Sequence, residues 1–173
     1  MAIGDLIIAS YEASSKIRRY QGFSSTVRDS FSSPQNSLLG VGWDFTNIYS
    51  TDFTPTEKIY KHSGFSTTIL DSFSSPDTTP SGCFWNTNSA FLYSAGDTAK
   101  KIYQHSGFTT TITDSFSSPS TSLGDIHWDG SNIYSVNNLT PGDIIYKHSG
   151  FSTTILDSFS SPSSHPGGFT IDI

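Results

Sequence analysis

The chain has 173 residues, 14% of them charged, with nine Lys plus Arg in total and a formal net charge of -6 at pH 7. That balance excludes the clustered basic stripe needed to displace counterions from nucleic acid, and no run approaches the roughly 18 apolar residues of a membrane-spanning helix, so neither nucleic acid nor membrane insertion is expected. The single Cys83 cannot form an intrachain disulfide and, within Gly82-Cys83-Phe84-Trp85, reads as a small buried hydrophobe.

In chain order, the first element is a short apolar strand over 5–8, Asp5-Leu6-Ile7-Ile8, with no earlier segment to pair with it. From Lys16 the sequence runs KIRRYQGFSSTVRDSFSSP, and closer copies of one another follow from Lys58, Lys101 and Ile145. Each copy ends in Asp-Ser-Phe-Ser-Ser-Pro, at 29–34, 71–76, 114–119 and 157–162. The glycine before it, at Gly22, Gly64, Gly107 and Gly150, recurs at intervals of 42, 43 and 43 residues, the period of a four-stranded propeller blade or of a helical-pair repeat. Runs such as SGFSTTILDSFSS are rich in Ser, Thr and β-branched residues without 3.6-residue apolar spacing, which argues against helix.

One unit is therefore expected to hold four strands: A over 39–44, B over 47–51, C over 58–62 and D over 67–73. Asp129-Gly130 between apolar runs marks a tight A–B hairpin, with Asp44-Phe45-Thr46-Asn47 and Asn86-Thr87-Asn88 as its counterparts. Ser63-Gly64, Ser106-Gly107 and Ser149-Gly150 punctuate the turn from C to D.

Through GVGWDFTNIYSTD…KIYKHSG and GDIHWDGSNIYS…IIYKHSG the chain resembles β-propeller repeats of the NHL and tryptophan-aspartate (WD) type. The resemblance implies an all-β, four-bladed propeller of four-stranded antiparallel blades, and no activity. The last residues, 166–173, align with 39–45 and are expected to supply strand A of the first blade, closing the ring and removing exposed sheet edges. The expected single domain, 1–173, then divides into blades at about 1–34 plus 166–173, 35–76, 77–119 and 120–162. A single-chain ring is favoured over two chains joined into an eight-bladed ring by exchanged clasps.

His62, His105 and His148 sit at equivalent places near the end of strand C. With strands roughly 4.8 Å apart they stand on the order of 15 Å from the axis, too far apart to share one ion, so no metal is expected. They are assigned instead to hydrogen-bond networks within their own blades, with Asp29, Asp71, Asp114 and Asp157 as candidate partners. Those carboxylates share strand parity with Phe31, Phe73, Phe116 and Phe159 and are expected to face inward. Trp43, Trp85, Trp128 and Ile171 form a further equivalent set, read as packing between blades. Tyr60, Tyr103 and Tyr146 are the candidate surface for stacking on carbohydrate.

Where the units differ, strand A carries Gly40, Gly82, Asp125 and Gly168 at one position and Gly42, Phe84, His127 and Thr170 two residues later. Asp125, His127 and Phe84 are thus the candidate ligand-binding group at the channel. No catalytic residue and no cofactor is indicated, because the axial positions hold mostly glycine, aromatic and aliphatic residues. The expected function is a non-enzymatic structural or protein-binding module of a virion or extracellular assembly, acting with a protein partner or as a homo-oligomer. A multivalent lectin binding glycans is the alternative, and a propeller hydrolase stands behind both.

Overall fold

The computed structural model describes residues 5–10, 15–138 and 143–161, and within them all regular structure is β-strand. The first sheet holds β1 (Leu6–Ser10), β2 (Lys16–Tyr20) and β3 (Val27–Ser32), and the second holds β4 (Leu38–Trp43), β5 (Ile48–Asp52), β6 (Lys58–His62) and β7 (Ile69–Ser74). The third consists of β8 (Pro80–Asn86), β9 (Phe91–Gly96), β10 (Lys101–Ser106) and β11 (Ile112–Ser117), and the fourth of β12 (Leu123–Trp128), β13 (Ile133–Asn137), β14 (Ile144–His148) and β15 (Ile155–Ser160). Each sheet is an antiparallel meander in chain order. The molecule is a four-bladed β-propeller. The innermost strands β4, β8 and β12 succeed one another around the axis. The closing strand expected over 166–173, with Phe169, Thr170 and Ile171, lies outside the described residues.

The repeated sequence can be followed into local structure along the second blade. Gly64 adopts φ +59°, which costs a residue with a Cβ roughly 1 kcal/mol or more. Ser66 then donates to the Ser63 carbonyl at 2.7 Å and accepts from the Thr68 amide at 3.2 Å. Ser24, Thr109 and Ser152 do the same in the other blades. These bonds place residues 67 and 68 in the turn, so strand D starts at Ile69 and not at 67 as the sequence pattern predicts.

A β-bulge follows: Lys61 opposes Asp71 while His62 opposes Ile69, leaving Leu70 unpaired. It recurs at Arg19/Tyr20, Gln104/His105 and Lys147/His148.

The core lies between blades, in three clusters. Ile17 and Phe31 of the first blade pack on Leu38 and Ile48 of the second. Tyr49 and Ile59 pack on Cys83 and Leu92 of the third, and Tyr93, Ile102 and Phe116 pack on Leu123, Ile126 and Ile133 of the fourth. Because strands bury both faces in these joints, Ile59 and Ile102 are fully buried on one side of strand C, and His62 and His105 are fully buried on the other.

The joints share one aromatic arrangement. A strand-D phenylalanine meets the next blade's C–D turn phenylalanine edge-on, at 4.9 Å between centroids in Phe31–Phe65, Phe73–Phe108 and Phe116–Phe151. It also packs against the next histidine, at 5.2, 5.3 and 5.1 Å for His62, His105 and His148. Tyr49 stacks on Trp85 and Tyr93 on Trp128, while Trp43 packs in the first joint. Such pairs add about 0.5–1.5 kcal/mol each beyond their buried area.

Near the axis the inner strands approach closely. A Cβ on Gly40 would lie 2.7 Å from the Gly82 Cα and the Ser81 carbonyl, and one on Gly82 would lie 2.9 Å from the Ile126 amide nitrogen. Glycine at these two positions is what allows the sheets to meet.

Candidate functional site

Of the groups singled out on strand A, His127 and Phe84 meet. His127 and Phe84, from adjacent blades, have ring centroids 4.6 Å apart at 59°. Asp125 lies two residues before His127 on the same side of β12, its Oδ1 accepting from the Ile126 amide at 2.8 Å and filling the space that a Cβ on Gly82 would need. Burial pushes the His127 pKa down to about 4, a shift only partly offset by the negative charge of Asp129. At neutral pH this imidazole is therefore uncharged, able to donate one hydrogen bond and accept another. Cys83, 2% exposed on the neighbouring strand, has its thiol pKa raised by burial and then by the Asp125 charge, so it is held as a neutral thiol.

The three strand-C histidines are wholly buried and serve their own blades. Serine from strand B meets Nε2 at 2.9 Å in Ser50–His62, 2.8 Å in Ser94–His105 and 2.9 Å in Ser135–His148. On the other side of the ring, Nδ1 is 3.0 Å from the Thr109 carbonyl in His105 and 3.0 Å from the Ser152 carbonyl in His148. A carbonyl only accepts, so Nδ1 carries the proton and the serine hydroxyl donates to Nε2. Burial lowers the pKa of all three, to about 4 for His62, with the carbonyl bond working weakly against it.

The repeated aspartates take no part, which corrects the inward orientation expected for Asp29, Asp71, Asp114 and Asp157. All four are exposed. They share parity with Phe31, Phe73, Phe116 and Phe159, but strand D is the outermost strand and its middle projects beyond the neighbouring blade. There each carboxylate stands opposite a strand-C residue: Arg19, Lys61, Gln104 or Lys147. Arg19 and Asp29 form an ion pair, and Asp71, Asp114 and Asp157 accept from the next residue's amide at 2.7, 2.7 and 2.8 Å.

The carbohydrate-stacking assignment is also corrected. Tyr60 and Tyr103 are only 6% and 7% exposed, so neither offers a ring face to a sugar, and Tyr146 is half-buried. The cause is the placement of strand C between two joints, which the alternation of Tyr with Ile in sequence does not show.

Two polar devices go beyond the turn signals legible in sequence. Asp44 and Asp129 at the A–B turns accept from the amides of Thr46 and Ser131 at 2.7 and 2.8 Å, and from the hydroxyls of Tyr49 and Tyr134 at 2.7 and 2.8 Å. For Asp129, burial alone would raise the pKa, but the bonds from Asn132, Ser131 and Tyr134 outweigh it and hold the carboxyl below its usual range. The second device joins blades: Ser33 donates to the buried Asp52 carboxylate, at 2.7 Å to Oδ2, and burial raises the Asp52 pKa to about 6 against the pull of that bond. Ser120, which follows Pro119 where Ser33 precedes Pro34, donates at 2.7 Å to Oδ1 of Asn137, the counterpart of Asp52. The signal available in sequence was the Asp that follows the A-strand tryptophan in two units, Trp43-Asp44 and Trp128-Asp129.

Among the described residues no three His, Cys, Asp or Glu side chains converge as metal ligands. No family profile and no curated protein sequence matches the chain. Solved structures match its fold. Glutaminyl cyclase from Myxococcus xanthus superposes with a TM-score of 0.69 at 11% identity, over 90% of this chain and 66% of its own. A protein of unknown function from Bacteroides caccae gives 0.68 at 10% identity, over 93% and 65%. BamB from Moraxella catarrhalis gives 0.55 at 7% identity, over 92% and 46%. The chain thus spans about two thirds of the length of two of these neighbours and under half of the third. At such identities the likeness establishes the β-propeller fold alone.

Proposed function

We propose that this propeller is a non-enzymatic, multivalent protein-binding scaffold, with blades of the NHL or tryptophan-aspartate type, acting in a virion or extracellular assembly. The observation that carries the reading is the outer rim. The strands β3, β7, β11 and β15 are paired on one side only, and they present Val27, Ile69, Ile112 and Ile155 at 45, 38, 41 and 38% exposure. At the bulges, Leu70 and Leu156 are each 55% exposed.

Aliphatic side chains beside free backbone donors and acceptors form a surface on which an extended segment of another protein can add as a strand. The exposed aspartates set between them keep the rim soluble and oppose its pairing with itself. Four repeated copies of one weak edge bind through effective concentration, without any strong single site.

The test is recovery of a tagged chain from its native source beside a variant with Leu70→Lys and Leu156→Lys. A stoichiometric protein companion that the variant loses supports the scaffold. A companion retained by the variant refutes the rim as its seat, and turnover of a small substrate that disappears in a folded Asp125→Ala variant refutes the non-enzymatic assignment.

A further inference from the structure

The three joints between blades are built from one pair of complementary faces. The forward face of a blade offers a B-strand aromatic or aliphatic residue, a C-strand isoleucine and a D-strand phenylalanine: Ile7, Ile17 and Phe31, then Tyr49, Ile59 and Phe73, then Tyr93, Ile102 and Phe116. The rear face of the following blade receives them with its C–D turn phenylalanine, Phe65, Phe108 or Phe151. Four blades carry four of each face, and the described chain joins three pairs.

The unused pair is visible. On the fourth blade the corresponding forward residues are Tyr134, Ile145 and Phe159. They line an open groove with Lys147, Asp157 and Ser158. Phe159 is 61% exposed and Ile145 is half-buried, where Phe116 is 8% exposed and Ile102 is fully buried. On the first blade the rear-face phenylalanine is Phe23, which is 101% exposed.

The first blade also departs from the repeat on that face. Its register places Ile8 where the other blades have Ser50 and Ser135, and Tyr20 where they have His62 and His148. The buried serine–histidine pair is thus replaced by an isoleucine and a tyrosine, with Ile8 40% exposed.

We infer that the forward face of the fourth blade binds the rear face of the first blade of a second copy of this chain. Phe159 then occupies the place beside Phe23 and Tyr20 that Phe116 occupies beside Phe151 and His148. The occupant follows from the repeat: three joints of the same construction already show which surface fits this groove, and the chain's own first blade leaves both phenylalanines in solvent. Such a contact is head-to-tail, so successive copies close into a ring if the accumulated rotation permits and otherwise extend as a filament. This inference does not depend on the aliphatic residues of the rim, none of which lines the groove.

The experiment measures the mass of the 173-residue chain by sedimentation at tens of micromolar, with Phe159→Asp and Phe23→Asp alone and mixed. Wild type is expected at a multiple of the monomer mass, and each variant at the monomer mass. An equimolar mixture should recover a dimer, because one variant keeps an intact forward face and the other an intact rear face. Both side chains are mostly exposed, and far-ultraviolet circular dichroism verifies folding; Phe159→Ser and Phe23→Ser serve if either Asp variant unfolds. A monomeric wild type, variants that associate as wild type does, or a mixture that stays monomeric would overturn the assignment.

Discussion

Acid should weaken the fold through its buried histidines, and His62 allows the size to be worked out. Its imidazole is wholly inaccessible and neutral, with a pKa of about 4 in place of the ordinary histidine value of 6.5. The folded-state pKa of this base is depressed. The unfolded chain therefore binds the extra proton between pH 6.5 and 4, and stability falls as pH falls through that window. At roughly 1.4 kcal/mol per pH unit, His62 alone should remove about 3 kcal/mol between pH 7 and pH 4. His105 and His148 add in the same direction.

Asp52 opposes them, since its pKa of about 6 makes the folded state the better proton binder between pH 6 and 3.8. Total acid sensitivity therefore mixes the two, and the difference between wild type and His62→Gln isolates one residue. Urea unfolding across pH 7 to 4 should show wild type losing about 3 kcal/mol more than the variant over that range, whatever the variant costs at pH 7. Parallel pH profiles for the two proteins would refute the argument that His62 is held neutral by burial.

Other perturbations test the joints. Gly82→Ala should destabilise by about 1–3 kcal/mol in urea unfolding, because its Cβ would press on the backbone of Ile126. Ser94→Ala should cost about 1–3 kcal/mol by leaving the buried Nε2 of His105 without its donor, and the His105 ring resonances should shift in a spectrum of the folded variant. Phe45→Gly, replacing a residue at φ 69° that is 82% exposed, should raise the melting temperature by the equivalent of up to about 1 kcal/mol.

Much of the blade was readable before the structure because its determinants are local. The Gly64, Gly107 and Gly150 turns and the Trp43, Trp85 and Trp128 inner strands depend on residues a few positions apart, and strand C was placed at Lys58–His62 with the bounds it has. Exposure has a different origin. Asp71 and Phe73 share parity, yet one is exposed and the other half-buried, because the neighbouring blade covers strand D over only part of its length. Tyr60 alternates like a surface residue but is buried, because another blade lies on that side too.

The contact of Phe84 with His127 falls at positions that sequence marks as departures from the repeat. The neutral state of His127 was not legible there, since it comes from burial that sequence does not display.

What the sequence by itself determined is the blade: its period, its order of strands, its turns, and the number of times it occurs. Those follow from backbone preferences and two-residue alternation, which act within a single unit. The tertiary structure decided which faces are buried. A propeller blade has two packing faces, so exposure depends on the neighbour and on how far it reaches. For that reason Phe31, Phe73, Phe116 and Phe159 are identical in the repeat, yet the first three are covered by the next blade while Phe159 stands open.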